Sequence, residues 1–190
     1  MIRPKHRRDM LELFPVGGVV AELGVFRGTF SERILEKLHP QKMYLVDTWS
    51  SPMDWWFEGG VQLVSGNEAY RETLRLERFP SVVIRRQSTI EFLSTLPDNS
   101  LDVSYHDADH SYESVRDELN LVFPRMKRGG WIAGHDYCEL FPGVMRAVDE
   151  FIDLHGLQLD VLTDEVPSGV INCPGGPTSM AYNSFAFKVP

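Results

Sequence analysis

Residues 101–112 of the chain have the sequence LDVSYHDADHSY. The run from Leu101 is typical of a buried strand, and an amphipathic helical pattern begins at Tyr112. Asp107, Asp109 and His110 therefore follow a strand and precede a helix. In an open α/β sheet, ligands bind in the crevice at the carboxyl ends of the strands. These side chains are candidates for a functional site, although Asp and Ser are also common helix caps.

A second polar pair follows the next apolar run of the chain. His135 and Asp136 come directly after the strand-like segment Gly130–Gly134. Two neighbouring strand ends that both carry metal-capable side chains indicate one shared site. The alternative interpretation is that all of these polar residues occupy caps and turns.

The segment after the first predicted strand indicates a nucleoside ligand. Val19–Leu23 is apolar except for Glu22, a carboxylate that is costly to bury unless it meets a cation or an amine. A turn with Gly24 and Gly28 follows. A dinucleotide site would need a glycine where Phe26 stands, because pyrophosphate must touch the backbone there. The sequence therefore favours a nucleoside without pyrophosphate.

Two further strand ends fit such a ligand. Asp47 ends the predicted strand Met43–Val46, about 20 residues past the glycine turn, where an acid typically binds a ribose diol. A cap role for Asp47 is the alternative. Gln87 and Ser88 follow the predicted strand Ser81–Ile84 and can hydrogen-bond a nucleobase edge.

The alternation of strands and helices predicts the fold class. We expect one α/β domain over residues 1–190, with a Rossmann-like doubly wound sheet of about seven strands, mostly parallel with an antiparallel last strand. Residues 1–15 form an N-terminal helix or lid in this prediction, with the helix over Pro4–Phe14. Other expected elements are a helix at Tyr112–Met126, a strand at Leu157–Leu162, and loops at Ser50–Gly60 and Val166–Thr178.

Composition narrows the possible partners and the location. The net charge of −8 argues against nucleic acid as the main partner, because that needs a basic face. Two cysteines, Cys138 and Cys173, make no disulfide framework and fit a reducing cytosol. No apolar run approaches the roughly 20 residues of a membrane span. We expect a cytoplasmic protein with a small-molecule partner and no membrane contact. A homodimer is a possible oligomeric state.

Together these residues resemble the class I S-adenosylmethionine-dependent methyltransferases, over nearly the whole chain. Residues 22–28 (ELGVFRG) are similar to the first motif of that family, and residues 44–47 (YLVD) to its second. Residues 107–112 (DADHSY) and 129–137 (GGWIAGHDY) resemble those of metal-dependent small-molecule O-methyltransferases. Members of that subgroup act on catechols, on caffeoyl-CoA and on macrolide sugars of the macrocin and mycinamicin type.

The resemblance implies S-adenosylmethionine as cofactor and a divalent cation, Mg²⁺ or Mn²⁺. It implies that Glu22 and the glycine turn hold the methionine part, Asp47 the ribose, and Gln87 with Ser88 the adenine. The full implied cofactor set is Glu22, Gly24, Val25, Phe26, Gly28, Thr29, Ser31, Asp47, Thr48, Gln87, Ser88 and Asp107. The implied metal ligands are Asp107, His135 and Asp136, and the implied catalytic residues are His110 and Asp107.

In this scheme an acceptor hydroxyl loses its proton before it attacks the methyl group. A divalent cation lowers the pKa of the hydroxyl, and His110 removes the proton as a base. Asp109 is the alternative base, although a cap at the following helix suits it better. His106 is expected to be structural, because strand alternation directs it away from Asp107.

The sequence departs from the subgroup at two positions. Arg86-Gln87 stands where relatives carry a Gly-Asp pair, and His135 stands where they often carry Asp or Glu. Three alternative functions stay open at this point. They are a metal-independent N- or C-methyltransferase of the same fold, a nicotinamide-dependent oxidoreductase, and a non-catalytic nucleoside-binding module.

Overall fold

A computed structural model describes residues 1–50, 53–57, 60–165, 171–173, 176–178 and 182–190. The strands are β1 (Val19–Leu23), β2 (Lys42–Asp47), β3 (Met53–Phe57), β4 (Gly60–Val64), β5 (Val82–Arg86), β6 (Leu101–His106), β7 (Met126–Gly134), β8 (Val161–Leu162), β9 (Ile171–Cys173), β10 (Gly176–Thr178) and β11 (Phe185–Lys188). The α-helices are α1 (Arg7–Met10), α2 (Thr29–Leu38), α3 (Gly66–Thr73), α4 (Thr89–Thr95), α5 (Tyr112–Val122) and α6 (Pro142–His155).

The main sheet has seven strands in the order β5-β2-β1-β6-β7-β11-β8. Neighbours from β5 to β7 are parallel, whereas β11 is antiparallel to both β7 and β8. The predicted fold class is therefore confirmed. The chain runs outward from β1 through β2 to β5 and then returns to the other side of β1 as β6. This reversal opens a crevice between the carboxyl ends of β1 and β6.

The core has one apolar layer on each face of this sheet. Side chains alternate between the faces, so Val20 packs with Ile34 and Leu38 of α2, whereas Leu23 packs with Leu119 of α5. The first layer also holds the N-terminal segment, and the second is completed by α4 and α6. Both faces of the sheet are thus covered, which explains the continuous apolar runs of the central strands.

Several element boundaries differ from the sequence predictions. The helix expected to reach Met126 ends at Val122 and is followed by a 3₁₀ turn, because Pro124 has no N–H and cannot continue an α-helix. Met126 instead begins β7. The strand expected over Leu157–Leu162 forms only at its last two residues, as β8. The N-terminal helix is the short α1 with a 3₁₀ turn at Leu11–Leu13.

The two expected loops contain short paired strands. β3 pairs with β4, and β9 pairs with β10, both antiparallel. Residues 51–52, 58–59, 166–170 and 174–175 of these two predicted loops lie outside the described residues. Among the helices of the described ranges, none combines the length and hydropathy needed to cross a membrane.

Candidate active site

At the crevice between β1 and β6, the loops that follow the two strands touch at a contact that only glycine permits. A Cβ atom on Gly24 would lie 2.0 Å from the carbonyl oxygen of Asp107, and the φ of Gly24 is +87°. Backbone bonds tie each loop to the adjoining strand: the Gly24 N–H donates to Val46 at 2.8 Å, and the Asp107 N–H to Leu23 at 2.7 Å. The two strand ends therefore form one continuous backbone wall.

Asp47 shapes the glycine turn from the end of β2. One carboxylate oxygen accepts the backbone N–H groups of Val25 at 3.0 Å and Phe26 at 2.9 Å. The other accepts the N–H of Trp49 at 2.8 Å. Asp47 thus holds the turn open and still presents its remaining lone pairs, which suits contact with a ligand diol.

A cavity of about 420 Å³ lies along this wall and is called the cofactor cavity below. Its lining residues are Gly24, Phe26, Asp47, Thr48, Ser88, Thr89, Ile90, Asp107, Ala108, Asp109, Ser114 and Glu118. The volume lies within the range of small-molecule sites, roughly 300–1,000 Å³. Six of these residues belong to the cofactor set implied by the sequence.

Of the other six lining residues, the sequence singled out only Asp109, as the alternative base or a cap. Thr89 and Ile90 open α4, and Ser114 and Glu118 lie one turn apart on α5. Their helical pattern carried no functional signal, because an acid on an amphipathic helix usually faces water. Gln87, predicted to flank the adenine, is not among the lining residues within the described part of the chain.

Glu22 is the buried acid of β1. Its side chain is 2 % exposed, and Oε2 has no hydrogen-bond partner within the described residues. Burial raises the pKa of Glu22 to about 8. An orphaned buried carboxylate oxygen needs a ligand donor, and the ammonium group of a methionine moiety supplies one. The residues present therefore fit S-adenosylmethionine.

Acids and imidazoles meet beside the cofactor cavity. One donor atom each from Asp107, His110 and Asp136 lies within 4.8 Å of the other two, and these residues form the acid–imidazole cluster. Asp136 is 5 % exposed and has a left-handed backbone with φ +59°. That turn brings its carboxylate back from the end of β7 toward the loop that follows β6.

The contact between His110 and Asp136 is close without being a hydrogen bond. His110 Nε2 lies 2.8 Å from Asp136 Oδ2, yet this nitrogen has no partner of hydrogen-bond geometry within the described residues. A ring nitrogen and a carboxylate oxygen this close together are groups that can bind one cation.

His135 lies at the edge of this cluster. Its Nδ1 is 3.0 Å from Asp136 Oδ1 and 3.8 Å from Asp107 Oδ1. The trio with mutually close donor atoms contains His110 and not His135, the residue that the sequence implied. His135 nevertheless has its Nδ1 within 3.8 Å of both acids, so the predicted residue lies beside the cluster.

The charges of the cluster stabilise one another. Burial opposes ionisation of Asp136, but His110 and His135 lower its pKa overall. Burial likewise acts to lower the pKa of His110, whereas Asp136 and Asp107 raise it above its usual value. Asp109 stands apart: its Oδ1 accepts the backbone N–H of Ser111 at 2.7 Å, next to the start of α5.

The N-terminal segment reaches this site through Arg7. Its Nη1 donates to Asp107 Oδ2 at 3.0 Å, and its guanidinium lies over the ring of Phe30. A second cavity of about 330 Å³ lies on the outer side of Arg7. Its lining is His6, Arg7, Arg8, Thr29, Phe30, Arg33 and Glu165. The excess of cationic groups favours an anionic ligand group there.

Comparison with known proteins shows the family of this chain. A protein family described as "Methyltransferase domain" matches residues 21–137, which is more than half of the chain. The chain belongs to this family. It is a class I S-adenosylmethionine-dependent methyltransferase, and the cofactor cavity lies where the sheet of that fold binds its ligand.

Solved structures share the architecture of this methyltransferase at low sequence identity. The N-methyltransferase NodS of Bradyrhizobium japonicum is 12 % identical with a TM-score of 0.63, over 97 % of this chain and 94 % of that one. The SMU.1697c protein of Streptococcus mutans, solved in complex with SAH, is 11 % identical with a TM-score of 0.62, over 100 % of both chains. Such likeness shows the fold alone.

One curated sequence relative covers a short segment. Protein R132 of Acanthamoeba polyphaga mimivirus, an uncharacterized protein, is 34 % identical over 68 residues, or 35 % of this chain. The match spans 30 % of the length of R132.

Proposed function

We propose that this methyltransferase transfers a methyl group to a hydroxyl group of a small molecule with the help of a divalent cation. The observation that carries the proposal is the acid–imidazole cluster, in which donor atoms of Asp107, His110 and Asp136 lie within 4.8 Å of one another. Asp107 also lines the cofactor cavity, so the cluster adjoins the methyl donor. Two carboxylates and one imidazole suit Mg²⁺ or Mn²⁺, with the imidazole favouring Mn²⁺.

The chain's own residues would divide the work. Glu22, Gly24 and Asp47 would hold the cofactor beside the acid–imidazole cluster. Asp107, His110 and Asp136 would hold the cation, and His135 would stabilise the negative charge of Asp136. When bound, the cation lowers the pKa of an acceptor hydroxyl and orients its oxygen. Fixed alignment of donor and acceptor supplies much of the remaining rate.

This proposal assigns His110 a different role from the one implied by the sequence. A nitrogen that binds a cation cannot accept a proton at the same time. In the cation-bound enzyme His110 is therefore a ligand, and in a cation-free enzyme the same nitrogen is available as the base. The closeness of Nε2 to Asp136 without hydrogen-bond geometry supports the ligand role.

Mn²⁺ titration by calorimetry, with S-adenosylhomocysteine saturating, tests the cation site without knowledge of the acceptor. We expect Mn²⁺ binding by the unaltered protein and at least about tenfold weaker binding by Asp136→Asn. The control is Asp153→Asn, which removes an exposed acid of α6 and is expected to leave Mn²⁺ binding unchanged. Absence of Mn²⁺ binding, or equal binding by the two variants, would refute the cation role.

One observation favours a metal-independent methyltransferase that acts on nitrogen or carbon. Arg7 already places a positive charge 3.0 Å from Asp107, where a cation would bind. In that reaction Arg7 balances the charge of Asp107, and His110 acts as a base. Methyl transfer that continues at full rate in excess chelator would support this second candidate.

A further inference from the structure

A buried glutamate faces the cofactor cavity from α5. Glu118 is 2 % exposed and lines the cavity together with Ser114, one helical turn earlier. Both therefore lie on the helix face directed at the ligand space. Among the described lining residues, the other acids are Asp47 at the end of β2 and Asp107 and Asp109 after β6, whereas a helix supplies Glu118.

Two side chains fix the carboxylate of Glu118. The hydroxyl of Thr89, at the start of α4, donates to Oε1. On the other side, Nδ1 of His106 lies 2.9 Å from Oε2, and Nε2 of His106 lies 3.0 Å from the Ser104 hydroxyl. An ionised carboxylate only accepts hydrogen bonds, so His106 donates through Nδ1. Glu118 is thus held from two elements at once.

The desolvation of Glu118 and His106 makes this contact unfavourable for a purely structural role. Removing a carboxylate and an imidazole from water costs more than their pairing returns in many proteins, and apolar residues of similar volume serve stability as well or better. The carboxylate also keeps unused lone pairs, because its two oxygens accept about four hydrogen bonds and the two contacts use one each. A buried acceptor that borders a ligand cavity is suited to a ligand donor.

Glu118 shares the cavity lining with polar residues at the strand ends. Thr48, Ser88, Thr89 and Ile90 line the cavity with Glu118, and Gly24 and Phe26 of the glycine turn line it as well. Of the two residues that the sequence indicated for the adenine, Ser88 lines the cavity and Gln87 is not among its described lining residues. The neighbouring Arg86 guanidinium binds the Trp49 carbonyl at 3.1 Å and the Asn67 amide at 2.6 Å.

We propose that Glu118 recognises the adenine of the cofactor by accepting a hydrogen bond from its exocyclic amino group. His106 and Thr89 are positioning residues that aim the carboxylate. A hypoxanthine base carries a carbonyl oxygen in place of the amino group, and two acceptors facing each other repel. The cavity should therefore reject hypoxanthine, whether or not a cation takes part in methyl transfer.

Calorimetric titration with S-adenosylhomocysteine and with S-inosylhomocysteine tests this directly. A hydrogen bond to a charged group contributes enough to predict a preference of at least about tenfold for the adenine ligand. In Glu118→Gln the preference should fall toward one, because the amide can turn its NH₂ group toward the hypoxanthine carbonyl. The control is Glu113→Gln, an exposed acid on the same helix, which should keep the full preference.

If Glu118→Gln does not fold, a second variant, Thr89→Val, tests the same hydrogen bond. Thr89→Val leaves the charge in place and removes one of the two donors that aim it, so the preference should shrink severalfold while the protein still binds S-adenosylhomocysteine. The proposal is overturned if the unaltered protein binds both ligands equally. It is also overturned if the preference survives unchanged in Glu118→Gln or, where that variant is unfolded, in Thr89→Val.

Discussion

Replacement of Glu22 by Gln should change how the stability of the cofactor-free protein depends on pH. Burial raises the pKa of Glu22 from 4.5 to about 8. Between these values the folded protein keeps a proton on Glu22 that the unfolded chain has lost. The free energy of unfolding therefore falls as pH rises through this window. Glu22→Gln has no such proton and should lack this part of the pH dependence.

The size of the effect follows from the shift. Each pH unit inside the window corresponds to about 1.4 kcal/mol of unfolding free energy. From pH 5 to pH 8 the unaltered protein should lose about 3.5 kcal/mol relative to Glu22→Gln, because the slope is smaller near each of the two pKa values. The amide brings a penalty of its own that does not depend on pH, since Oε2 has no partner in the described residues, so the change with pH is the quantity to compare.

Urea denaturation at pH 5, 6, 7 and 8, with both proteins free of cofactor, measures the difference. Saturating S-adenosylhomocysteine should flatten it, because a ligand ammonium beside Glu22 lowers the pKa of the carboxyl. The same variant should bind S-adenosylhomocysteine more weakly. A stability difference that stays constant from pH 5 to pH 8 would show that Glu22 is ionised in the folded protein and would refute the reasoning.

Three further outcomes are expected. Gly24→Ala should destabilise the protein by more than about 3 kcal/mol in thermal denaturation, because its Cβ would lie 2.0 Å from the carbonyl oxygen of Asp107; Gly17→Ala, with φ +77° but open space around it, should cost only about 1–2 kcal/mol. The Arg7→Gln variant should bind Mn²⁺ about threefold to tenfold more tightly, because it removes an ion pair to Asp107 that contributes about 1 kcal/mol and competes with the cation. Unchanged Mn²⁺ titrations would contradict this. Asp47→Asn should lose about 2 kcal/mol of stability and some affinity for S-adenosylhomocysteine, because the amide cannot accept from all three backbone N–H groups; calorimetry and urea melts that match the unaltered protein would contradict it.

Much of the architecture could be predicted because its signals are local. The short segments Val19–Leu23 and Leu101–His106 carry apolar residues in strand patterns, and their register as parallel neighbours is observed. The confirmed fold class then places the carboxyl ends of the parallel strands at one edge of the sheet. The boundaries were less predictable. The end of α5 depends on Pro124, and β8 is limited to the two residues that pair with β11.

The candidate site was predictable at the level of strand ends and not at the level of atoms. Asp107 and Asp136 follow β6 and β7, and their closeness follows from the pairing of those strands. The closeness of His110 to Asp136 accompanies a left-handed turn at Asp136, which the sequence did not indicate. Positive φ at a residue other than glycine is uncommon, and nothing in the neighbouring sequence announces it.

The sequence by itself determined the order of strands and helices, the glycine turn at the carboxyl end of β1 and the acids that follow the central strands. Only the tertiary structure decided which side chains face a common space, as Glu118, Thr89 and His106 do from three separate elements. The physical reason is the distance along the chain over which each effect acts. Periodicity and turn preference act over a few neighbouring residues, whereas the convergence of polar atoms depends on how distant segments pack.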